Sequence, residues 1–414
     1  MAIDITIVGG GMITHDQLLP SIYHLQRLGV VGKLQISALN AAPLQQLASS
    51  EAIKAAFPNQ SFISSPSLDD EPSKMYPDLF KSIIEKMPPQ QMVVVAVPDH
   101  FHYPVIKFAL EHNQHVLTVK PLVLTYPQAT EIEHLAHERG LFVGVEYHKR
   151  FDRRSLETRG RYRQGKFGDF RCGEAKLIEP WYYRHSNFQN WFTKENTDPF
   201  TYIGCHYVDL VYFITGLKPV EASIQGVEGT FPNGKVGYMW SAGRVTFENG
   251  GILSVINGLG YPDLGGGGND QGMTLYCEGK DSGGLISHND QFRGVQHGYI
   301  AEAGGKSFNY VNPDYMRLVP WEGEGLKPVG YGYDSVEASI RAAVRINDES
   351  KSAGNAALRR RQAILKEIDD NGIIATPSNS SINELVMEAG RLSILNQGRR
   401  VLISYGKSAG VKLA

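Results

Sequence analysis

The sequence predicts an α/β protein: a doubly wound parallel sheet, followed by a domain built on a large, mostly antiparallel sheet. Three observations carry this. Through the first third of the chain, short apolar runs alternate with helix-period stripes, a rhythm that implies βαβ units and hence a parallel sheet. Near residue 150 the rhythm changes to strand-like pieces separated by Gly-rich turns, the pattern of antiparallel pairing. The length of 414 residues suits two or three domains, and the expected division is 1–150 and 151–414.

Ile3 to Val8 reads as a buried strand ending in Gly9-Gly10-Gly11. Leu18, Ile22 and Leu25 then form an i, i+4, i+7 helical stripe. Leu34–Leu39 is a second strand, and Met75, Leu79 and Ile83 mark a helix stopped by Pro88-Pro89. Met92–Val97 is a β-branched run of the kind covered on both faces. Ile106 and Leu110 mark a helix, His115–Val119 a strand, Ile132 and Ala136 a helix, and Leu141–Tyr147 the last strand of the series. In the second domain, Cys172–Ile178 begins as a strand. Asp198 and Pro199 open a helix as N-cap and first helical residue, and Gly216 closes it. Strands follow at Ala222–Gln225, Gly243–Phe247, Ile252–Ile256 and Met273–Cys277, and helices at Ser335–Arg345, Asn355–Asp369 and Ser381–Ser393. Gly265–Gly268 is expected to be a mobile loop, and Arg359-Arg360-Arg361 a solvated helix face.

Composition excludes several functions. Forty-one basic against 43 acidic residues give a net charge of −2, not the basic excess of a nucleic-acid binder. No segment approaches the ~18 consecutive apolar residues of a membrane span, and no secretory leader is visible. Cys172, Cys205 and Cys277 are scattered and odd in number, so they form neither a disulfide framework nor a metal knuckle. A reducing, cytoplasmic location is expected. No metal is expected either, because the histidines at 100, 102 and 115 have no accompanying ligand pattern.

Gly9-Gly10-Gly11-Met12-Ile13-Thr14 lies between a strand and a helix. Gly9 makes the tight turn, and Gly11 lets the backbone approach a pyrophosphate at the helix N-terminus. Gly9, Gly11, Met12 and Ile13 are therefore the candidate phosphate contacts of a dinucleotide. The second strand ends near Asn40, which can hydrogen-bond a ribose. No Arg follows to hold a 2′-phosphate, so the expected cofactor is NAD, with NADP as the alternative. Lys120 follows five mostly apolar residues and falls at the ligand edge of the sheet, where an amine can hold a substrate hydroxyl.

The order and spacing of these pieces resemble the glucose–fructose oxidoreductase / inositol dehydrogenase (Gfo/Idh/MocA) family. The residues that carry the resemblance are Gly9–Thr14, Val97-Pro98 through His102, Val119-Lys120-Pro121 and Tyr147-His148-Lys149-Arg150-Phe151. It implies an N-terminal Rossmann-like domain and a C-terminal α/β domain that covers the nicotinamide and oligomerises as a homodimer or homotetramer. The implied activity is NAD(P)-dependent oxidation of a secondary alcohol on a sugar, cyclitol or glycoside, or the reverse reduction. Two alternatives among relatives are a redox-neutral NAD-dependent glycosidase and a catalytically inactive nucleotide sensor. The resemblance makes Pro98 and His102 cofactor contacts, Lys120 a contact of both nicotinamide and substrate, and Tyr147 and Arg150 substrate contacts. The Glu that precedes the lysine in the family motif is Val119 here.

In the second domain, Ile203, Tyr207, Leu210, Val211 and Ile214 form an apolar stripe, while Tyr202, His206 and Asp209 fall on an adjoining face. The family pattern matches at His206, its acid/base, and at Asp209, but has Asp where this chain has Tyr202. Tyr202, His206 and Lys120 are thus the catalytic candidates. Asp209, Tyr202 and Trp181, the last in an aromatic cluster before the helix, are candidate substrate contacts. A phenol at 202 cannot stabilise an imidazolium as a carboxylate would, which predicts a neutral His206 near pH 7.

Overall fold

The computed structural model describes residues 2–265, 268–289, 298–301, 308–311 and 315–414. The central part of the expected Gly265–Gly268 loop lies outside these residues. The chain forms two compact units: Met1–Val123, Pro127–His148 and Met316–Asn379 make the first, and Leu124–Tyr126, Lys149–Tyr315 and Ser380–Ala414 the second.

The first unit holds strands β1 (Ile3–Val8), β2 (Val31–Ser37), β3 (Ile63–Ser65), β4 (Met92–Val95), β5 (His115–Val119) and β6 (Val143–Glu146) in one sheet of order β3-β2-β1-β4-β5-β6. All of its pairs are parallel. This is the 3-2-1-4-5-6 order of a doubly wound dinucleotide-binding sheet, with its switch point between β1 and β4. Met92, Val93, Val94 and Val95 are fully buried, as a strand covered on both faces requires. Leu18, Ile22 and Leu25 are buried as their stripe requires. That helix, however, starts as a π-turn (Thr14–Leu18) before becoming α (Leu19–Arg27). The expected helix through Met75 is shorter, Leu79–Ile84, and Met75 lies outside it, exposed.

The second unit holds β7 (Asp169–Pro180), β8 (Pro219–Thr230), β9 (Val236–Phe247), β10 (Ile252–Tyr261), β11 (Asp270–Glu278), β12 (Gly283–Asn289), β13 (Gly298–Ala301) and β14 (Phe308–Val311). After β15 (Arg317–Pro320) and β16 (Leu326–Val329), which form a hairpin in the first unit, come β17 (Val401–Ser404) and β18 (Gly410–Leu413). The ten-stranded sheet has the order β14-β13-β12-β11-β7-β10-β9-β8-β17-β18. It is antiparallel except at β7–β10, which is parallel. Helices Cys205–Thr215 and Ile382–Leu395 bury Val208, Val211, Leu385 and Val386 in one core with Ala222, Ile224, Val245, Leu253 and Val255 of the strands. Alternate residues Ile252 and Ile256 of β10, with Tyr276 of β11, are exposed, so the two faces of the sheet differ.

Two expectations are corrected. Residues 316–379 do not belong with 151–414. They return to the first unit, where Val336, Ile340, Ala343 and Ile346 of helix Tyr331–Lys351 share a core with Ile5, Ile22 and Leu25. The Arg359–Arg361 run is not simply solvated. Arg360 pairs with Glu349, while Arg361 donates to the carbonyls of Gly140 (3.2 Å) and Arg139 (3.4 Å). It thereby satisfies acceptors left open where helix Tyr126–Arg139 ends.

Candidate active site

The Gly-rich turn is built by close approach. Gly9 has φ +117°, and a Cβ there would lie 2.0 Å from the carbonyl oxygen of Ala96. Only glycine lets β1 leave the sheet so close to the exit of β4. Gly9 N–H donates to Ser37 O (2.8 Å), and Thr14 Oγ1 donates to Gly9 O (2.8 Å). Thr14 therefore ties helix to turn at the position of the usual third glycine. Gly11 is different: it is exposed, and a Cβ there would meet no atom within 4 Å. The turn is closed on the protein side at Gly9 and open on the outer side at Gly11, Met12 and Ile13, where the first-turn N–H groups of a helix lack intrahelical acceptors. This arrangement fits a pyrophosphate. Asn40 lies after β2 with its amide 3.6 Å from Met75 Sδ.

His102 is fully buried rather than at a cofactor surface. Its Nδ1 lies 2.7 Å from Pro121 O and its Nε2 2.9 Å from Val97 O. It ties the loop after β4, with Pro98, to the segment carrying Lys120, and so positions both. His115 is also internal. The N–H of Phe142 donates to its Nδ1 (2.9 Å), so Nε2–H faces Asn347 Oδ1 (2.9 Å). Burial, against the Asn347 hydrogen bond, pushes its pKa down to about 4. Among the described residues no cluster of metal-ligating side chains occurs.

One group at this edge went unread in the sequence. Glu146 ends β6 and is paired in register with Val119 of β5. It is only 4% exposed. Its Oε1 accepts from Gln17 Nε2 (2.9 Å) and from Ser335 Oγ, and its Oε2 lies 2.7 Å from His148 Nδ1. The reasoning that singles out Lys120, a charged residue ending an apolar strand at the ligand edge, applies equally to Glu146.

In the second unit, Asp198 caps its helix as expected, accepting from Thr201 N (2.9 Å). The first turn, Phe200–Gly204, is π rather than α, and Cys205–Thr215 continues as α. His206 is 6% exposed. Tyr202 packs edge-on against Phe188, Trp191 and Phe192, with ring centroids 5.3–5.5 Å apart. This helix and the one after the Gly-rich turn thus both begin with a π-turn, a feature that recurs at functional sites.

Two expected substrate contacts are engaged elsewhere. Arg150 and Asp209 are each 1% exposed and form a two-pronged ion pair at 2.9 and 2.6 Å; Asn383 also donates to Asp209 (2.8 Å). They hold the chain around helix Cys205–Thr215. Tyr147 is likewise buried, at 2%. Lys149, next to Arg150, extends its Nζ to Gln271 Oε1 (2.7 Å). Trp181 is 44% exposed, with the Arg184 guanidinium 3.9 Å from its ring centroid, which leaves an aromatic surface available to a ligand.

The turn, the strand order and the helix start define a dinucleotide-binding domain. Residues 3–147 match the family described as "Oxidoreductase family, NAD-binding Rossmann fold" (GFO_IDH_MocA). The chain is 27% identical over 180 residues to the D-glucoside 3-dehydrogenase of Escherichia coli, covering 39% of this chain and 50% of that protein. It is 23% identical over 207 residues to the scyllo-inositol 2-dehydrogenase (NADP(+)) of Bacillus subtilis, covering 49% and 51%. The chain spans about half or less of the length of the curated relatives it matches. The scyllo-inositol dehydrogenase of Lactobacillus casei, solved with bound NAD(H) and scyllo-inositol, shares the fold over 97% of this chain and 99% of its own, with a TM-score of 0.59 at 15% identity. No described helix is long and apolar enough to cross a membrane.

Proposed function

We propose that this chain is an NAD-dependent dehydrogenase acting on a secondary alcohol of a sugar, cyclitol or glycoside. The observation that carries the reading is Lys120. It directly follows β5 in the half of the sheet beyond the switch point from the Gly9–Thr14 turn, and its segment is fixed by buried His102. NAD supplies the acceptor for the hydride when bound. Lys120 holds and polarises the hydroxyl oxygen, and His206 takes or returns its proton. In this reading Tyr202, in the turn before His206, assists it as a hydrogen-bonding phenol, and Trp181 offers an apolar face to a sugar ring. Asn40, with no following Arg, favours NAD over NADP. Arg150 and Asp209 position the His206 helix rather than touch substrate.

We further assign the exposed sheet face around Ile252, Ile256 and Tyr276 to self-association as a homodimer or homotetramer. The three cysteines, scattered and odd in number, suit the reducing cytoplasm. The test is to denature the purified protein, identify any released nucleotide by mass spectrometry, and screen sugars, glycosides and inositols for reduction of added NAD+. Turnover of one such alcohol is expected. Nucleotide binding with no turnover on any of them would refute the dehydrogenase reading.

A further inference from the structure

Residues Trp181–His185 of the second unit form a short 3-10 turn. With three residues per turn, side chains at i and i+3 eclipse, so Trp181 and Arg184 fall one above the other. The guanidinium carbon lies 3.9 Å from the indole centroid, a stack that suits a planar, weakly hydrated cation. Its Nε–H donates to the carbonyl of Leu259. Pairing of β10 with β9 stops at Gly258, opposite Trp240, so Arg184 takes up a carbonyl just past that ladder.

What Arg184 lacks is an anion. Among the described residues no carboxylate pairs with it and no acceptor meets its terminal nitrogens. Nη2 is sealed from solvent, whereas Nη1 is not. Asp263, the carboxylate held by the same turn, is exposed and accepts the N–H of Tyr182 (2.9 Å) instead. Burial lowers the pKa of Arg184, and no acid raises it again. A half-buried cation without a counter-ion loses hydration for little return. Holding Leu259 and covering Trp181 would require one N–H and a flat surface, not a full guanidinium.

A continuous run of rings joins this cation to the helix that carries His206. Tyr183 is 9% exposed and packs on Phe188 with centroids 4.7 Å apart. Phe188 in turn meets Tyr202 at 5.3 Å, four residues before His206. Trp181, still 44% exposed beneath the guanidinium, keeps surface for a ring.

We propose that Arg184 selects an anionic substrate: a ring alcohol bearing a carboxylate or a phosphate, whose oxyanion pairs with the guanidinium while the ring lies against Trp181. Both anions match the planar donor fork of arginine. The inference rests on the dehydrogenase reading and narrows it, from sugars in general to sugar acids or phosphorylated sugars.

The test is calorimetry of the full chain, with NADH present, against matched probes: glucose, glucuronate and glucose 6-phosphate, and the corresponding galactose and mannose series. In wild type at least one anionic probe should bind tighter than its neutral parent by roughly tenfold or more, the scale of one charge-assisted contact. The carboxylate and phosphate arms tell which anion is taken. Arg184→Gln should erase that advantage while neutral sugars change by less than about twofold and melting stays near wild type. Arg184→Lys, which keeps the charge without the fork, should retain part of it. The proposal is overturned if no series shows an anionic preference, if the preference survives in Arg184→Gln, or if that variant weakens neutral and anionic probes equally. Turnover of a neutral alcohol with no gain from an anion would overturn this inference and leave the dehydrogenase reading standing. Arg184-dependent anion binding with no turnover of any probe or alcohol would do the reverse.

Discussion

Replacing Gly11 with valine separates binding from folding at the Gly-rich turn. The protein has room for the new side chain: no atom lies within 4 Å of a Cβ at this position, and the backbone is outside the left-handed region that demands glycine. Stability should therefore stay within about 1 kcal/mol of wild type, as for ordinary surface changes. The isopropyl group would occupy the space through which a pyrophosphate reaches the helix N-terminus. Hydrogen bonds to a charged acceptor contribute ~1.5–3 kcal/mol each. Losing one or two of them costs about 3 kcal/mol, or roughly 150-fold in Kd. Gly9→Ala is the contrasting change: its Cβ would lie 2.0 Å from Ala96 O at φ +117°, so it should destabilise the fold by on the order of 3 kcal/mol. The assay is calorimetry with NAD+ alongside thermal melting. A folded Gly11→Val protein with undiminished affinity would show that the dinucleotide does not use this turn.

Lys120→Ala should leave melting nearly unchanged while turnover falls by about 10²-fold, the usual scale for a group that handles a proton; near-normal turnover would remove it from the chemistry. His206→Ala should depress turnover and erase one ionisation from the profile of kcat/KM against pH, and Tyr202→Asp should move that ionisation upward by roughly one unit if the two groups touch; an unchanged profile in His206→Ala would assign the proton to another group. Arg150→Met strands Asp209 in the interior and should cost about 3–5 kcal/mol in urea denaturation; a loss under 1 kcal/mol would mean the pair is not a structural tie. His115, held neutral with a pKa near 4, is protonated more readily in the unfolded chain. Its share of stability is complete above about pH 6.5 and is lost as pH falls toward 4, up to roughly 3 kcal/mol. His115→Asn should flatten denaturation midpoints across that window, and an identical slope in both proteins would contradict it.

Parts of this molecule are legible locally because one element carries the whole signal. Met92–Val95 and His115–Val119 are apolar, β-branched and unbroken, so their strands and the edge they define follow from composition. Asp198 and Gly216 punctuate their helix through backbone needs of their own. β3 escapes the same reading, since three residues, two of them serine, have no period to detect. The π-turns at Thr14–Leu18 and Phe200–Gly204 change hydrogen-bond register without changing residue type. Most consequential is pairing over distance. Arg150 and Asp209 look like polar residues facing a site until their partnership, 59 residues apart, turns them inward. Gln17 and Ser335 look unremarkable until both reach Glu146.

The return of residues 316–379 to the first unit bears on how the protein is made. A ribosome that has released residue 150 has produced every strand of the parallel sheet but not helix Tyr331–Lys351, whose Val336, Ile340 and Ile346 complete the core over Ile5, Ile22 and Leu25. The nascent sheet must wait, with apolar surface uncovered, for roughly 200 further residues. At typical elongation rates of ~5–20 residues per second that interval lasts from about ten seconds to well over half a minute. Order of synthesis and order of completion therefore part company: the domain translated first cannot be finished first, and a chaperone able to shield that surface has its longest opportunity on this part of the chain.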